Sequence, residues 1–309
     1  MWMKPSRHSS RPEVRPRPDT PGRPWRRPLC LLLVLTLPAG AAHAAGSLKL
    51  STWNLDWLTV RAQGDAALPA DVTPRTTGEM DRLAQYAHAL APDIAALEEI
   101  DSADLAARLF PAPAYHIIIS GDQVVQKVAV AIRSGLQIER HPDVTALDVY
   151  PPDAPRHLRS GLDLSVGTGA DRLRLLVVHL KAGCRDSGPR ERKPACRTLL
   201  RQMAVIQDWI MERQDEGEAF AVLGDFNRLL APDDPALHTL AENGPLTLAT
   251  AGHASPCAQG SYFIDHIILG GAARGWLQPD SLRVMLYRAD AATTRLSDHC
   301  PVSVRLLLP

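Results

Sequence analysis

The chain has 309 residues, with 34 basic and 34 acidic side chains and 5% aromatic residues. Basic charge is concentrated at its start: residues 1–44 hold 8 Lys and Arg against 2 Asp and Glu, so residues 45–309 carry 26 basic and 32 acidic side chains, a net of −6. An acidic body excludes a protein that grips nucleic acid by broad electrostatics, but not one that meets phosphate at a single cleft.

Residues 1–44 read as a secretory signal peptide. Residues 1–27 are rich in Arg and Pro, residues 29–37 form a short apolar core, and small residues run to Ala42-His43-Ala44, an Ala-x-Ala cleavage site. The apolar run is too short to span a bilayer, which disfavours a retained anchor. Arg26-Arg27 is weak evidence for twin-arginine export, and Cys30 lacks the small residue before it that a lipoprotein signal carries. Cleavage near Ala44 leaves residues 45–309 as a periplasmic or secreted monomer of one domain, since no Gly/Ser linker or internal repeat marks a boundary.

After the leader, residues 48–55 alternate and predict a first strand ending at Asn54. Thr76 with Glu79 three positions later makes a capping box, and Met80, Leu83, Ala84, Ala87 and Leu90 supply the apolar face of the helix it opens. Pro92 and Asp93 end that helix, and residues 93–97 predict a short buried strand delivering Glu98 and Glu99, with Glu98 the solvent-facing member. Residues 115–120 and 127–133 read as a strand pair joined across Gly121-Asp122, and residues 173–180 as an apolar strand carrying His179 at its end. Residues 195–213 are amphipathic and helical, with Leu199, Met203, Ile206, Trp209 and Ile210 on the buried side. Residues 219–223, 263–269 and 302–308 complete the strands. Hairpins mixed with crossover helices favour two packed sheets with helices outside.

Four cysteines remain after the leader: Cys184, Cys196, Cys257 and Cys300. An even count in an exported chain suggests disulfides. Cys184 and Cys196 flank a polar loop and are the favoured pair, stabilising the fold by about 3 kcal/mol in the chain-entropy model. Whether Cys257 pairs with Cys300 depends on two strand ends meeting and stays open. A Cys/His zinc site would require a close C-x-x-C pair, and the sequence has none.

Side by side, the strand ends and the loops beside them offer Asn54, Asp56, Glu99, His179, Asp225, Asn227, Asp265, Asp298 and His299. Carboxylates and amides suit a hard divalent cation, and two histidines add acid/base capacity near neutral pH. The motifs Thr52-Trp-Asn54-Leu-Asp56, Ala96-Leu-Glu98-Glu99-Ile, Val178-His179-Leu-Lys-Ala-Gly, Gly224-Asp225-Phe-Asn227, Ile264-Asp265-His-Ile and Ser297-Asp298-His299 occur in this order. Together they resemble the endonuclease/exonuclease/phosphatase superfamily, which includes pancreatic-type deoxyribonucleases, abasic-site endonucleases, sphingomyelinases and inositol-phosphate phosphatases.

The resemblance implies a four-layered α/β sandwich, two central mixed sheets flanked by helices, with the site at one sheet edge. It implies Glu99 as principal metal ligand, helped by Asn54 and Asp56, with Asp298 joining a second metal site. The metal is Mg²⁺ or Mn²⁺, with Ca²⁺ kept as an alternative structural ion. By the same resemblance Asp225 orients or deprotonates the attacking water, Asn227 contacts the phosphate, and His299 is a phosphate-contacting histidine oriented by Asp265. His179 stands where the deoxyribonuclease branch has a histidine implicated in general acid work. His266 reads as packing. Lys181, Arg185, Arg190, Arg192, Lys193, Arg197 and Arg201 surround the Cys184 and Cys196 loop, either a landing surface for a polyanion or a solvated face, since Asp186 and Glu191 interrupt them.

These readings converge on an exported, metal-dependent phosphodiesterase acting on nucleic acid, most simply a non-specific endonuclease, with no stable membrane association expected. The alternatives are a phospholipid phosphodiesterase, a phosphatase for a small phosphoester, or a non-catalytic binding module.

Overall fold

The structure is a computed structural model that describes residues 46–186, 192–257, 263–288 and 296–309. The leader read over residues 1–44, with its cleavage site, lies outside the described residues.

Strand alternation builds two sheets. In the first, β1 (Ser47–Leu58), β2 (Ile94–Ile100), β3 (Tyr115–Ile119), β4 (Lys127–Arg133), β11 (Arg283–Val284) and β12 (Val302–Leu307) take the order β11-β12-β1-β2-β4-β3. In the second, β5 (Ile138–Arg140), β6 (Leu162–Val166), β7 (Leu173–His179), β8 (Phe220–Asp225), β9 (Thr247–Leu248) and β10 (Asp265–Gly270) take the order β5-β6-β7-β8-β10-β9. Leu50, Ala96 and Val130 on one inner face meet Leu164, Val177 and Leu223 on the other, forming the central core. Because side chains alternate along a strand, the opposite faces are apolar too, and each is covered by helices. Helices α1 (Thr77–Leu90) and α2 (Ala103–Leu109) pack Met80, Leu83 and Leu105 on Ala95 and Leu97 of the first sheet. On the second sheet, α3 (Pro194–Asp215) and α4 (Pro235–Leu240) pack Leu199, Met203 and Leu240 on Leu176, Val222 and Ile268. The result is the four-layered α/β sandwich expected.

Local signals act as anticipated at α1, where Thr76 Oγ1 accepts from the Glu79 N–H at 3.3 Å and Glu79 Oε2 accepts from the Thr76 N–H at 2.8 Å. Strands β5 and β6 and helices α2 and α4 were not anticipated. In β6, Asp163 interrupts the apolar pattern; it is nonetheless buried, because Arg174 Nη2 and Trp209 Nε1 each donate to Asp163 Oδ2 at 2.9 Å.

Two parallel pairings decide where the chemistry falls. Strand β1 runs parallel to β2 and β7 parallel to β8, so their C-terminal ends share one edge of the sandwich. Strand β10 is antiparallel to β8 and pairs its first residue, Asp265, with Asp225, the last of β8. Strand β12 is antiparallel to β1, so the segment before it returns to the same edge, where Ser297 Oγ donates to the Asn54 carbonyl at 2.8 Å. Two disulfides close loops there, Cys184–Cys196 as favoured and Cys257–Cys300, the pairing left open.

Candidate active site

Backbone irregularities aim the side chains. Strand β1 shifts register between Asn54 and Leu58, with Asp56 and Trp57 in the left-handed region at φ 45° and 55°. Strand β2 shifts between Glu98 and Ile100, with Glu99 at φ 64°. Bulges of this kind re-aim side chains, and here both consecutive glutamates contact the inner-facing residues of β1. Glu98 is not the solvent-facing member expected from alternation. It is fully buried, and Thr52 Oγ1 donates to its Oε1 at 2.9 Å. At the end of β8, Gly224 has φ 142°, and a Cβ there would lie 1.9 Å from the Val178 carbonyl oxygen, so only glycine lets β7 and β8 approach and deliver Asp225.

Asn54 is the hinge between the two sheets. Its Nδ2 donates to Asp225 Oδ2 at 2.9 Å and to Glu99 Oε1 at 3.2 Å. Asp225 also accepts from the Asn227 backbone N–H at 2.7 Å and from Asn227 Nδ2 at 3.2 Å. His179 Nε2 stands 3.5 Å from both Glu99 Oε1 and Asp225 Oδ2. His299 Nδ1 lies 2.9 Å from each oxygen of Asp265, and its Nε2 is 3.8 Å from Asp225 Oδ2. Seven of the nine expected residues thus meet directly. Asp56 joins through its backbone N–H, which Asn54 Oδ1 accepts at 2.9 Å, while its carboxylate lies 3.4 Å from the buried Arg75. Asp298 stands at the rim, its side chain 77% exposed and 3.9 Å from His299 Nε2.

Burial and crowding polarise these groups in opposite directions. Burial, with Asp265 nearby, raises Asp225 from the ordinary aspartate range to about 7, against the opposing pull of His299, Asn227 and Asn54. Burial and the same acidic neighbours push Glu98 well up, with Thr52 opposing. Burial works against a charged His299, but Asp265, Asp225 and Asp298 outweigh it and raise the imidazole to about 11. For His179, burial is reinforced by Arg159 and His299, so it is pushed well down and held neutral. Arg159 was not anticipated from the sequence. It is buried, and it donates from Nε to the His179 carbonyl at 2.7 Å and from Nη2 to the Leu180 carbonyl at 2.9 Å, setting a cation beneath the acidic groups. No motif marks it, because β7 meets it only through tertiary packing.

The basic residues around Cys184 and Cys196 divide. Arg185 lines a cavity of about 220 Å³ together with Asp265, Asp298 and His299, whereas Arg192, Lys193, Arg197 and Arg201 are exposed, and Arg190 lies outside the described residues.

Clustered carboxylates, a hydrogen-bonded Asp–His pair and an amide bridging the two sheets define a hydrolytic site for phosphoric esters. The chain belongs to the endonuclease/exonuclease/phosphatase family, whose model matches residues 51–299, and whose members are metal-dependent phosphoric ester hydrolases. It is similar in fold to the 3′ phosphatase NExo from Neisseria bound to product DNA hairpin, at 19% identity and TM-score 0.56 over 84% of this chain and 99% of that one. Truncated TDP2 from Caenorhabditis elegans gives 17% identity and TM-score 0.56 over 84% of this chain and 98% of that one. The human Nocturnin catalytic domain with bound sulfate gives 17% and 0.53 over 85% and 95%. No curated protein sequence matches the chain.

The residues fit a divalent cation. Ligand atoms of Asp225, Asp265 and His299 lie within 4.8 Å of one another. Both oxygens of Asp265, however, face His299 Nδ1, which makes that pair a hydrogen-bonded dyad rather than two free ligands. Glu99 accepts only from Asn54 and the Trp57 N–H among the described residues, leaving carboxylate lone pairs for a hard cation.

Proposed function

We propose that this protein is an exported, divalent-metal-dependent phosphodiesterase that hydrolyses nucleic acid as a non-specific endonuclease. The observation that carries the reading is Asp225, held by Asn54 and Asn227 and facing the His299–Asp265 pair beside Glu99. Glu99 and Asn54 would hold a hard divalent cation, Mg²⁺ or Mn²⁺, which would supply charge neutralisation at the phosphoryl oxygens.

The chain's own groups do the rest. Asp225, raised to about 7, accepts a proton from the attacking water, whose oxygen bonds to phosphorus as the bond to the leaving oxygen breaks. The leaving oxygen is protonated from solvent, to which Asp225 returns its proton. His299, kept charged by Asp265, stabilises the phosphoryl oxygens, and Asn227 holds Asp225 in line. His179 is neutral, so it acts here as a positioning residue between Glu99 and Asp225 rather than as the general acid expected from its motif. Asp56 and Asp298 take supporting places, Asp56 on Arg75 and Asp298 at the rim beside His299.

Two disulfides support export, and among the described residues no helix is long and apolar enough to cross a membrane. The DNA hairpin bound to the Neisseria relative supports a nucleic-acid substrate. Supercoiled plasmid incubated with purified protein and Mg²⁺ or Mn²⁺ tests the reading, with chelator and Asp225→Ala alongside. Metal-dependent nicking that falls about a thousandfold or more in the variant is expected. No cleavage by folded, metal-binding protein would move the substrate to a lipid or a small phosphoester.

A further inference from the structure

A second cavity lies apart from the one that holds His299. It measures about 630 Å³, within the range of small-molecule sites, and adjoins the catalytic groups on two sides. On one side is Trp57, whose backbone N–H donates to Glu99 Oε2 at 2.9 Å. On the other is Asp122, which accepts from the Ser160 N–H at 3.0 Å and Ser160 Oγ at 2.7 Å; Ser160 follows Arg159. A substrate whose phosphate sits at Glu99 therefore has this cavity beside it, across Trp57.

The lining has a distinct chemistry. Trp57 is half-buried and packs against Leu68, Val72 and Val125, which makes its indole a fixed platform. Leu158, Pro69 and Pro155 add apolar walls. The polar groups facing the cavity include two planar amides, Gln123 and Gln126, and Gln126 has no side-chain hydrogen-bond partner among the described residues. Both acidic residues of the lining are already engaged. Asp122 also accepts from Ser120 Oγ at 2.7 Å, and Asp148 accepts from the Leu158 N–H at 3.1 Å and pairs with His157 at 2.6 Å. A site for a quaternary ammonium headgroup would need several aromatic faces or carboxylates left free, and this one offers a single indole and none. Gln123 Nε2 donates to the Gly121 carbonyl at 3.5 Å, which leaves its amide oxygen open. A single rigid aromatic face with planar amides beside it suits a flat heterocycle that stacks and forms edge hydrogen bonds.

We propose that this cavity is a nucleobase subsite, in which one base of the substrate stacks on Trp57 and meets Gln123 and Gln126 at its edge. The subsite rests on the phosphodiesterase reading and deepens it: the scissile phosphate carries an unpaired, unstacked base, so single strands and nucleotide esters are preferred to intact duplex.

The test compares the p-nitrophenyl ester of thymidine 5′-phosphate with the same ester lacking the base. Their ratio of kcat/KM cancels any effect of Trp57 on Glu99. The wild-type ratio is expected to be about tenfold or more, to fall to near one in Trp57→Ala, and to be largely kept in Trp57→Phe. Single-stranded oligonucleotide cut faster than the same duplex assigns the base to a strand, whereas ester hydrolysis alone assigns it to a free nucleotide. A wild-type ratio near one, an unchanged ratio in Trp57→Ala, or faster hydrolysis of a phosphocholine ester overturns the subsite. If no ester is hydrolysed, the phosphodiesterase reading is what fails. Calorimetry then decides the subsite separately, because tighter binding of thymidine 5′-phosphate than of deoxyribose 5-phosphate, lost in Trp57→Ala, supports it, and equal binding overturns it.

Discussion

Asp265 and His266 are neighbours on β10 that point to opposite faces, and each belongs to a buried polar corner of a different kind. His266 Nδ1 lies 2.7 Å from Thr250 Oγ1 and its Nε2 lies 2.9 Å from the Arg228 carbonyl, while Arg228 Nε meets both Asp234 oxygens at 3.1 Å. That corner closes on itself, and burial drives His266 down to about 4. The corner of Asp265 does not close. Asp225 and Glu98 are crowded with Asp265, His299 is driven up to about 11, and the buried Glu98 Oε2 and His179 Nδ1 have no hydrogen-bond partner among the described residues. Two histidines one strand end apart, one buried and one partly buried, thus differ by their partners, a hydroxyl and a carbonyl for His266 and a carboxylate for His299. Polar groups that satisfy each other hold the fold, whereas those left strained and unsatisfied are available to a ligand.

Paired substitutions test that division. In the open corner, Asp225→Asn should lower turnover by about a thousandfold or more. Its unfolding free energy at pH 8 should be unchanged or higher, since a carboxylate that burial disfavours is gone. In the closed corner, Asp234→Ala removes the carboxylate that balances the charge of the fully buried Arg228 guanidinium. A loss of about 3–5 kcal/mol in denaturant unfolding is expected, with activity per folded molecule within about twofold of wild type. If Asp225→Asn destabilised the fold as much as Asp234→Ala does, the two corners would be one structural network. A smaller effect comes from Asp265→Asn, which removes the charge that holds His299 up. The imidazole should fall from about 11 toward the ordinary histidine range in NMR titration. Turnover at pH 8 should drop by about a hundredfold, and a turnover unchanged at pH 8 would sink the oriented imidazolium.

Much of the open corner could be read before the structure, because its groups end apolar strands, and an apolar run followed by Asn, Glu, His or Asp survives as a pattern in one dimension. The pairing of Asp265 with His299 came from a resemblance that the 2.9 Å geometry matches. Alternation failed where the backbone leaves the strand geometry. It assigned Glu98 to solvent, but the positive φ of Glu99 lets two successive side chains turn inward. Nor could alternation foresee the Asp56 carboxylate on Arg75, Arg159 under His179, or the Trp57 wall, since each rests on contacts made by separate segments. Strand β6 was hidden for the same reason, as the burial of Asp163 depends on Arg174 and Trp209. The closed corner left no motif, and its His266 could be read only as packing.

The finest contrast is in the pH dependence of stability of chelated protein between about pH 4 and 7. Asp225 is raised from 3.8 to about 7, so over that interval the folded state holds more protons than the unfolded one, and its contribution falls as pH rises. His266 is lowered from 6.5 to about 4, so the unfolded state holds more protons there, and its contribution rises with pH up to about 6.5. Glu98, pushed up, adds to the first slope, and His179, pushed down, adds to the second, so the wild-type melting temperature is a compensated sum. Difference profiles separate the terms. Melting temperature of Asp225→Asn relative to wild type should climb between pH 4 and 7, whereas that of His266→Gln should decline between pH 4 and 6.5. His299 stays charged throughout that interval, since its own contribution is fully present below 6.5 and is lost only as pH rises toward about 11. Differences of the same sign in the two variants would mean that the corners titrate together, and the open corner would lose its claim to be electrostatically separate from the structural one.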